Sequence, residues 1–281
     1  MELDPDIALH YSQGVERDRL TTWGRLEAER TRELLDRFLP PPPAVVVDVG
    51  GAEGAYALPL ARRGYAVHLF DPVPSHVEAA GTASAAQPRH PLAEVAVGDA
   101  RNVPLSDDAA DAVLLLGPLY HLIHVADRAR AIAEARRLLR PGGTLFAAGI
   151  SRFASTHDGL RSGAIADPRF EAIVEGDLRD GVHRNPEVAE RPEWFTLAYL
   201  HRPDELLDEV RSSGFPDAEI YAVEGVGAGM DLDDPLDDPD GRATVLRAIR
   251  RVEQEPSLLG SSPHLMVVAT KPGRTGGGPG D

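Results

Sequence analysis

The chain has 281 residues, 42% of them hydrophobic, enough to bury a full core in one domain with insertions or in two. It contains no cysteine, which excludes a disulfide framework, a thiolate metal site and a cysteine nucleophile. A net charge of -16 opposes a nucleic-acid partner, since a polyanion needs a basic face to displace counterions, and no run approaches the roughly 18 apolar residues of a membrane span.

The amino terminus, Met1 to Asp6, is acidic and lacks the apolar stretch of a secretory signal, so a cytoplasmic location is expected. Residues 1–43 read as a helical cap. Leu20 to Leu39 carries Leu26, Arg30, Leu34, Leu35 and Phe38 near helical spacing, and Pro40 to Pro43 stops that helix. From Ala44 onward, strand and helix alternate. Val45 to Val49 is a strand, Tyr56 to Arg63 a helix, Ala66 to Asp71 a strand, Ser75 to Ala86 a helix and Ala93 to Asp99 a strand. Asp111 to Gly117 follows as a fourth strand and Arg128 to Arg140 as an amphipathic helix. Thr144 to Ile150 is a fifth strand after a Pro-Gly-Gly turn. This alternation predicts an α/β fold with a doubly wound parallel sheet.

Past Ile150 the pattern lapses until a helix opens at His201 and ends at Gly214, after which Ala218 to Glu224 and Leu265 to Lys271 read as the last two strands. The main domain therefore spans 44–272, with insertions at 151–200 and 225–264, the second holding a helix from Thr244 to Gln254. Connections that long usually serve function. The glycine-rich tail, 273–281, is expected to be disordered.

The most informative stretch is Val45 to Gly54, an apolar strand that breaks into Gly50-Gly51-Ala52-Glu53-Gly54, where a ligand can approach bare backbone. Asp48 precedes that turn, Asp71 ends the second strand and Asp99 ends the third. The carboxyl ends of such strands form one crevice, so three acids converge there. A dinucleotide would use Asp71 in the same way, but the G-x-G-x-x-G spacing fails at Ala52 and Ala55. Asp48 on the strand itself opposes a pyrophosphate and suits an ammonium or a sulfonium.

Asp48 to Gly54, Asp71 and Gly98-Asp99-Ala100 resemble the first three motifs of the class I S-adenosylmethionine-dependent methyltransferases. Gly117 to Leu122 and Leu139 to Gly143 are similar to later motifs of that family, in order. The resemblance implies a Rossmann-like seven-stranded sheet, mostly parallel with an antiparallel edge strand and a helical lid, and S-adenosyl-L-methionine as cofactor. It implies that Gly50, Gly51 and Ala52 line the methionine part and that Asp48 orients the amino group. Asp71 would accept from the ribose hydroxyls, Asp99 from the adenine amine, and the Ala100 N–H would meet a ring nitrogen, with Pro72 and Leu116 lining the same crevice. Ala52 stands where the usual turn has its middle glycine.

By the same resemblance, Tyr11, Arg19 and Trp23 are candidates to cover the cofactor, and Tyr120 and His121 face the methyl group, His121 as a possible base. The insertion offers Glu171 as an alternative base. Glu175, His183 and Arg184 are further polar candidates, with His201 and Arg202 just beyond, and Phe153, Phe170, Trp194 and Phe195 are candidate apolar walls. No metal is expected: Asp233 to Asp238 lacks calcium-loop spacing, and Pro235 and Pro239 oppose the helix on which magnesium-binding acidic clusters sit. The reading is a small-molecule methyltransferase, with specialised metabolism the expected setting. Alternatives are C-methylation of an isoprenoid diphosphate, an NAD(P)-dependent oxidoreductase, and a non-catalytic S-adenosylmethionine binder.

Overall fold

A computed structural model describes residues 3–273; the expected tail lies almost wholly outside the described residues. The chain opens with α1 (Pro5–Ser12) and α2 (Arg25–Phe38), so the cap holds two separate helices where one long helix was expected. Asp4 caps α1 by accepting from the Asp6 N–H. The strands are β1 (Val45–Val49), β2 (Ala66–Asp71), β3 (Glu94–Val97), β4 (Ala110–Leu115), β5 (Leu139–Ser151), β6 (Val182–His183), β7 (Ala198–His201), β8 (Glu219–Ala222) and β9 (His264–Thr270). Between them lie α3 (Ala57–Arg62), α4 (Pro74–Ala85), α5 (Pro118–His121), α6 (Val125–Leu138), α7 (Ala154–Ser162), α8 (Pro168–Asp180), α9 (Pro203–Ser212), α10 (Asp233–Asp237), α11 (Pro239–Arg250) and α12 (Pro256–Leu259).

The sheet runs β3-β2-β1-β4-β5 with all neighbours parallel. β9 then lies antiparallel against β5, and β8 antiparallel against β9. Those seven strands answer to the expected sheet, but the sheet has nine. The extra pair, β6 and β7, comes from the segment that carries no regular pattern in the sequence, and β7 pairs with Ile150 and Ser151 at the far end of β5. Both are too short to show a period.

Alternate residues of β1 serve opposite faces. Val47 and Val49 pack with Phe70, Val113 and Leu115 against the α6 and α9 side, while Val46 packs with Leu34, Leu60, Leu69 and Phe146 on the α2 and α3 side. Every residue of β4 is buried, and each such Val or Leu contributes about 1.5 to 3 kcal/mol of transfer free energy. This two-sided core fixes the strand ends. The insertion carries a small core of its own, Phe170, Ile173, Val174 and Trp194.

Asp233–Asp237 of the acidic run forms a short helix despite Pro235, which falls in the first turn where its missing N–H has no intrahelical partner to lose. Pro239 likewise starts α11 at N1, and Asp238 caps it through the Gly241 N–H. That helix ends at Arg250, earlier than expected. Among the described residues no helix is long and apolar enough to cross a membrane.

Candidate active site

The turn after β1 is shaped by close contacts. A Cβ on Gly51 would fall 2.8 Å from Asp48 Oδ2 and 2.9 Å from Leu69 Cδ1, and one on Gly50, which has φ +73°, would strike Pro118. Ala52 adopts φ +47°, a left-handed backbone that costs a side-chain-bearing residue about 1 to 2 kcal/mol. Its N–H donates to Asp71 Oδ2 at 2.9 Å, which binds the turn to the end of β2. Asp71 Oδ1 accepts from the Val73 N–H and faces His76 Nδ1 at 3.1 Å. Asp99 is held by Arg101, whose Nε and Nη2 donate to its two oxygens at 2.9 and 2.7 Å. Arg101 keeps the Asp99 carboxyl below its usual range.

Asp48 is 1% exposed, and among the described residues its Oδ2 has no hydrogen-bond partner. Burial, aided by the charge of Asp71, pushes its pKa up to about 7. A buried carboxylate with a free oxygen at the floor of a crevice is a site for a cationic donor such as an ammonium.

These groups open into one cavity of about 1970 Å³. Asp48, Gly50, Gly51, Ala52, Asp71, Pro72, Asp99, Ala100 and Leu116 line it, as do Tyr11, Tyr120 and His121. It exceeds the usual volume of a single-ligand pocket, so a cofactor and a second molecule fit together. Over the crevice, Tyr11 Oη on α1 lies 2.6 Å from His121 Nε2, and His121 Nδ1 faces the Leu197 carbonyl at 3.4 Å. Burial lowers the His121 pKa to about 4, so the ring is neutral at pH 7. Burial raises both Tyr11 and Tyr120, which therefore keep their hydroxyl protons.

Phe195 completes this wall, 5.9 Å from the His121 ring and 5.2 Å from that of His10. It holds φ +67° while Asn185 Nδ2 donates to its carbonyl and to that of Arg191. Behind it, the nitrogens of buried His183 face Asp177 Oδ2 at 2.9 Å and the Trp194 carbonyl at 2.8 Å, so His183 reaches the cavity wall with both nitrogens engaged.

Glu171 does not reach the site. It lies exposed in the first turn of α8, outside the cavity lining, because Phe170, Ile173, Val174 and Asp177 form the inward face of that helix. Glu175 is exposed in the same way. His201 is buried against Glu209, and neither it nor Arg202 or Phe153 lines the cavity. Phe170, Arg184 and Trp194 do line it.

Of the opposite wall only Arg19 was expected at the site. Arg19 binds both oxygens of Glu27 and lies 2.8 Å from Glu16 Oε2. His264 Nδ1, at the start of β9, lies 2.5 Å from Glu224 Oε1 and 3.6 Å from Glu27 Oε2. Among the described residues Glu27, Glu224 and His264 are the one group of three that brings metal-ligating atoms within 4.8 Å of one another. Arg19 already holds Glu27, and the two acids raise His264 to about 9, so this is an ion-pair network with a protonated imidazole. No local sequence signal marks it, since its members come from distant parts of the chain.

Residues 47–147 match the model of a methyltransferase domain family, the stretch that holds Asp48, the Gly50–Ala52 turn, Asp71, Asp99, Tyr120 and His121. That segment is similar to a methyltransferase domain, and the surrounding sheet has the fold of S-adenosylmethionine-dependent methyltransferases. An uncharacterized methyltransferase of Mycobacterium tuberculosis is 35% identical over 113 residues, which is 40% of this chain and 42% of that protein. The match to such curated relatives thus spans under half of their length. A ubiquinone biosynthesis O-methyltransferase of a Methylobacterium species is 30% identical over 185 residues, 63% of this chain and 62% of its own. Among solved structures, a methyltransferase of Thermotoga maritima described as a possible histamine N-methyltransferase superposes with TM-score 0.57 at 19% identity, covering 94% of this chain and 98% of that one. A putative methyltransferase of Haloferax volcanii, solved with the Trm112 activator, gives 0.58 at 18% identity, covering 97% and 100%. At such identities the likeness of this chain to the solved structures is one of fold.

Proposed function

We propose that the protein transfers a methyl group from S-adenosylmethionine to a small-molecule acceptor held between the cofactor crevice and the Glu27–His264 wall. When bound, the cofactor supplies an activated methyl group on a sulfonium. Asp71 would accept from the ribose hydroxyls with the lone pairs left by Ala52 and Val73, and Asp99 from the adenine amine. Gly50, Gly51 and Ala52 give the methionine portion bare backbone, and the free Oδ2 of Asp48 takes its ammonium. Tyr11 and His121 clasp α1 over the crevice and exclude water. His121 is a weak base when buried, so its part in moving a proton is limited to accepting from the Tyr11 hydroxyl.

The observation that carries this reading is the convergence of Asp48, Asp71 and Asp99 on one cavity with an unpaired buried oxygen at its floor. Thermal-shift measurements test it: S-adenosylmethionine and S-adenosylhomocysteine raise the melting temperature and NAD does not, and Asp71→Ala removes most of the shift. A shift with NAD alone refutes it. A diphosphate acceptor is disfavoured because the cations of the far wall are already paired with acids.

A further inference from the structure

We propose that His264 binds the methyl acceptor, donating a hydrogen bond from Nε2 to an uncharged acceptor oxygen, a carbonyl or a hydroxyl. The inference rests on the methyltransferase reading and adds the chemistry of the second substrate. The imidazole is anchored on one side only. Its Nδ1 faces Glu224 Oε1 at 2.5 Å and Glu27 Oε2 at 3.6 Å. Glu224 is itself fixed, because its Oε2 accepts from Ser262 Oγ and from the His264 N–H, both at 3.0 Å. Among the described residues Nε2 has no partner, and the side chain is 22% exposed where it lines the cavity. A donor held rigidly from behind and free in front is arranged to meet a ligand.

The charge around it selects the ligand. His264 is surrounded by Glu27 from α2, Glu224 from the segment after β8, and Arg19, with Glu16 beyond Arg19. The two flanking acids keep the ring protonated at neutral pH, so the free N–H is a charged donor. Three carboxylates against two cations leave this wall one negative charge in excess. A bound carboxylate or phosphate would add to that excess in a partly buried site, whereas a neutral oxygen receives the charged hydrogen bond without it. Tyr120 of α5 lines the same cavity as Arg19, Glu27 and His264.

Two probes with one apolar tail, 4-heptylphenol and 4-heptylbenzoate, separate the neutral from the anionic oxygen when titrated at pH 7 into the full-length protein saturated with S-adenosylhomocysteine. The expected result is that the phenol binds at least tenfold tighter than the benzoate. His264→Leu and His264→Gln should each lose about tenfold or more of the phenol affinity while S-adenosylhomocysteine affinity stays within twofold. His264→Gln retains a donor toward Glu224 and so guards against loss of the fold. Benzoate binding as tightly as the phenol, phenol affinity unchanged in His264→Gln, or no binding of either probe overturns the assignment while leaving the cofactor reading intact. Failure of the wild-type protein to bind S-adenosylhomocysteine overturns both.

Discussion

The Tyr11 hydroxyl lies 2.6 Å from His121 Nε2 and joins two residues 110 positions apart, one on the first helix and one on the turn of helix that follows β4. With His121 neutral through burial, Nε2 accepts and the tyrosine donates, leaving the ring proton on Nδ1 toward Leu197. This bond ties α1, whose buried side chains are Ile7 and His10, to the strand ends that form the cofactor crevice.

Tyr11→Phe should therefore weaken S-adenosylhomocysteine binding about two- to twelvefold, the worth of a neutral hydrogen bond of roughly 0.5 to 1.5 kcal/mol. His121→Asn should do about the same, and the double variant no more than either one, because both remove a single bond. Calorimetric titration of the four proteins completes the cycle; fully additive losses would show that the two side chains act apart.

The cofactor crevice was readable from sequence because its geometry follows from topology. Parallel neighbours β1 and β2 and β2 and β3 must place Asp48, Asp71 and Asp99 at one edge, and alternation of strand with helix announces that arrangement. The lid was not readable to the same degree. β6 and β7, of two and four residues, are too short to show a period, whereas Phe170, Ile173, Val174 and Asp177 of α8 do fall at the i, i+3, i+4, i+7 spacing of a helix, a signal passed over amid the irregular residues around it. Glu171 was drawn in by its place in that segment, and helix phase turns it outward. The His264 wall was illegible for a third reason: Glu27, Glu224 and His264 meet only after the cap helix packs against the last two strands.

Glu171→Gln should leave turnover and cofactor affinity unchanged within twofold, since the carboxylate is exposed and away from the cavity. Initial rates with any acceptor found for the enzyme decide this. A drop of tenfold in kcat would mean that α8 rotates or shifts to bring Glu171 to the acceptor.

Asp48 gives cofactor binding a pH signature. Its pKa of about 7 leaves it roughly half protonated at pH 7, and an ammonium beside Oδ2 favours the ionised form. S-adenosylhomocysteine should then bind with release of about half a proton per site at pH 7, and affinity should rise from pH 6 to pH 8. Titration calorimetry in two buffers of different ionisation enthalpy measures the proton count. Asp48→Asn should abolish the release; release that persists in this variant would place the titrating group elsewhere.

His264 gives stability a pH dependence of its own. Its folded pKa of about 9 stands above the unfolded value near 6.5, so the folded state binds more protons between those values. The stabilisation is complete below pH 6.5 and is lost as pH rises through 9. A shift of that size corresponds to an upper bound of about 3 to 4 kcal/mol, at about 1.36 kcal/mol per pKa unit. Asp48 acts in the same direction but in a lower window, because its pKa is raised from 3.8 to about 7 and its contribution is spent by about pH 8. Glu224, held below its usual range by His264, titrates lower still. The fall in unfolding free energy between pH 8 and pH 9.5 is thus the part that belongs to His264. Urea denaturation at those two values should show it in the wild-type protein and show a flat profile in His264→Gln. An equal fall in the variant would mean that the imidazole carries no charge in the folded state, and that the Glu27–His264–Glu224 wall is joined by neutral hydrogen bonds.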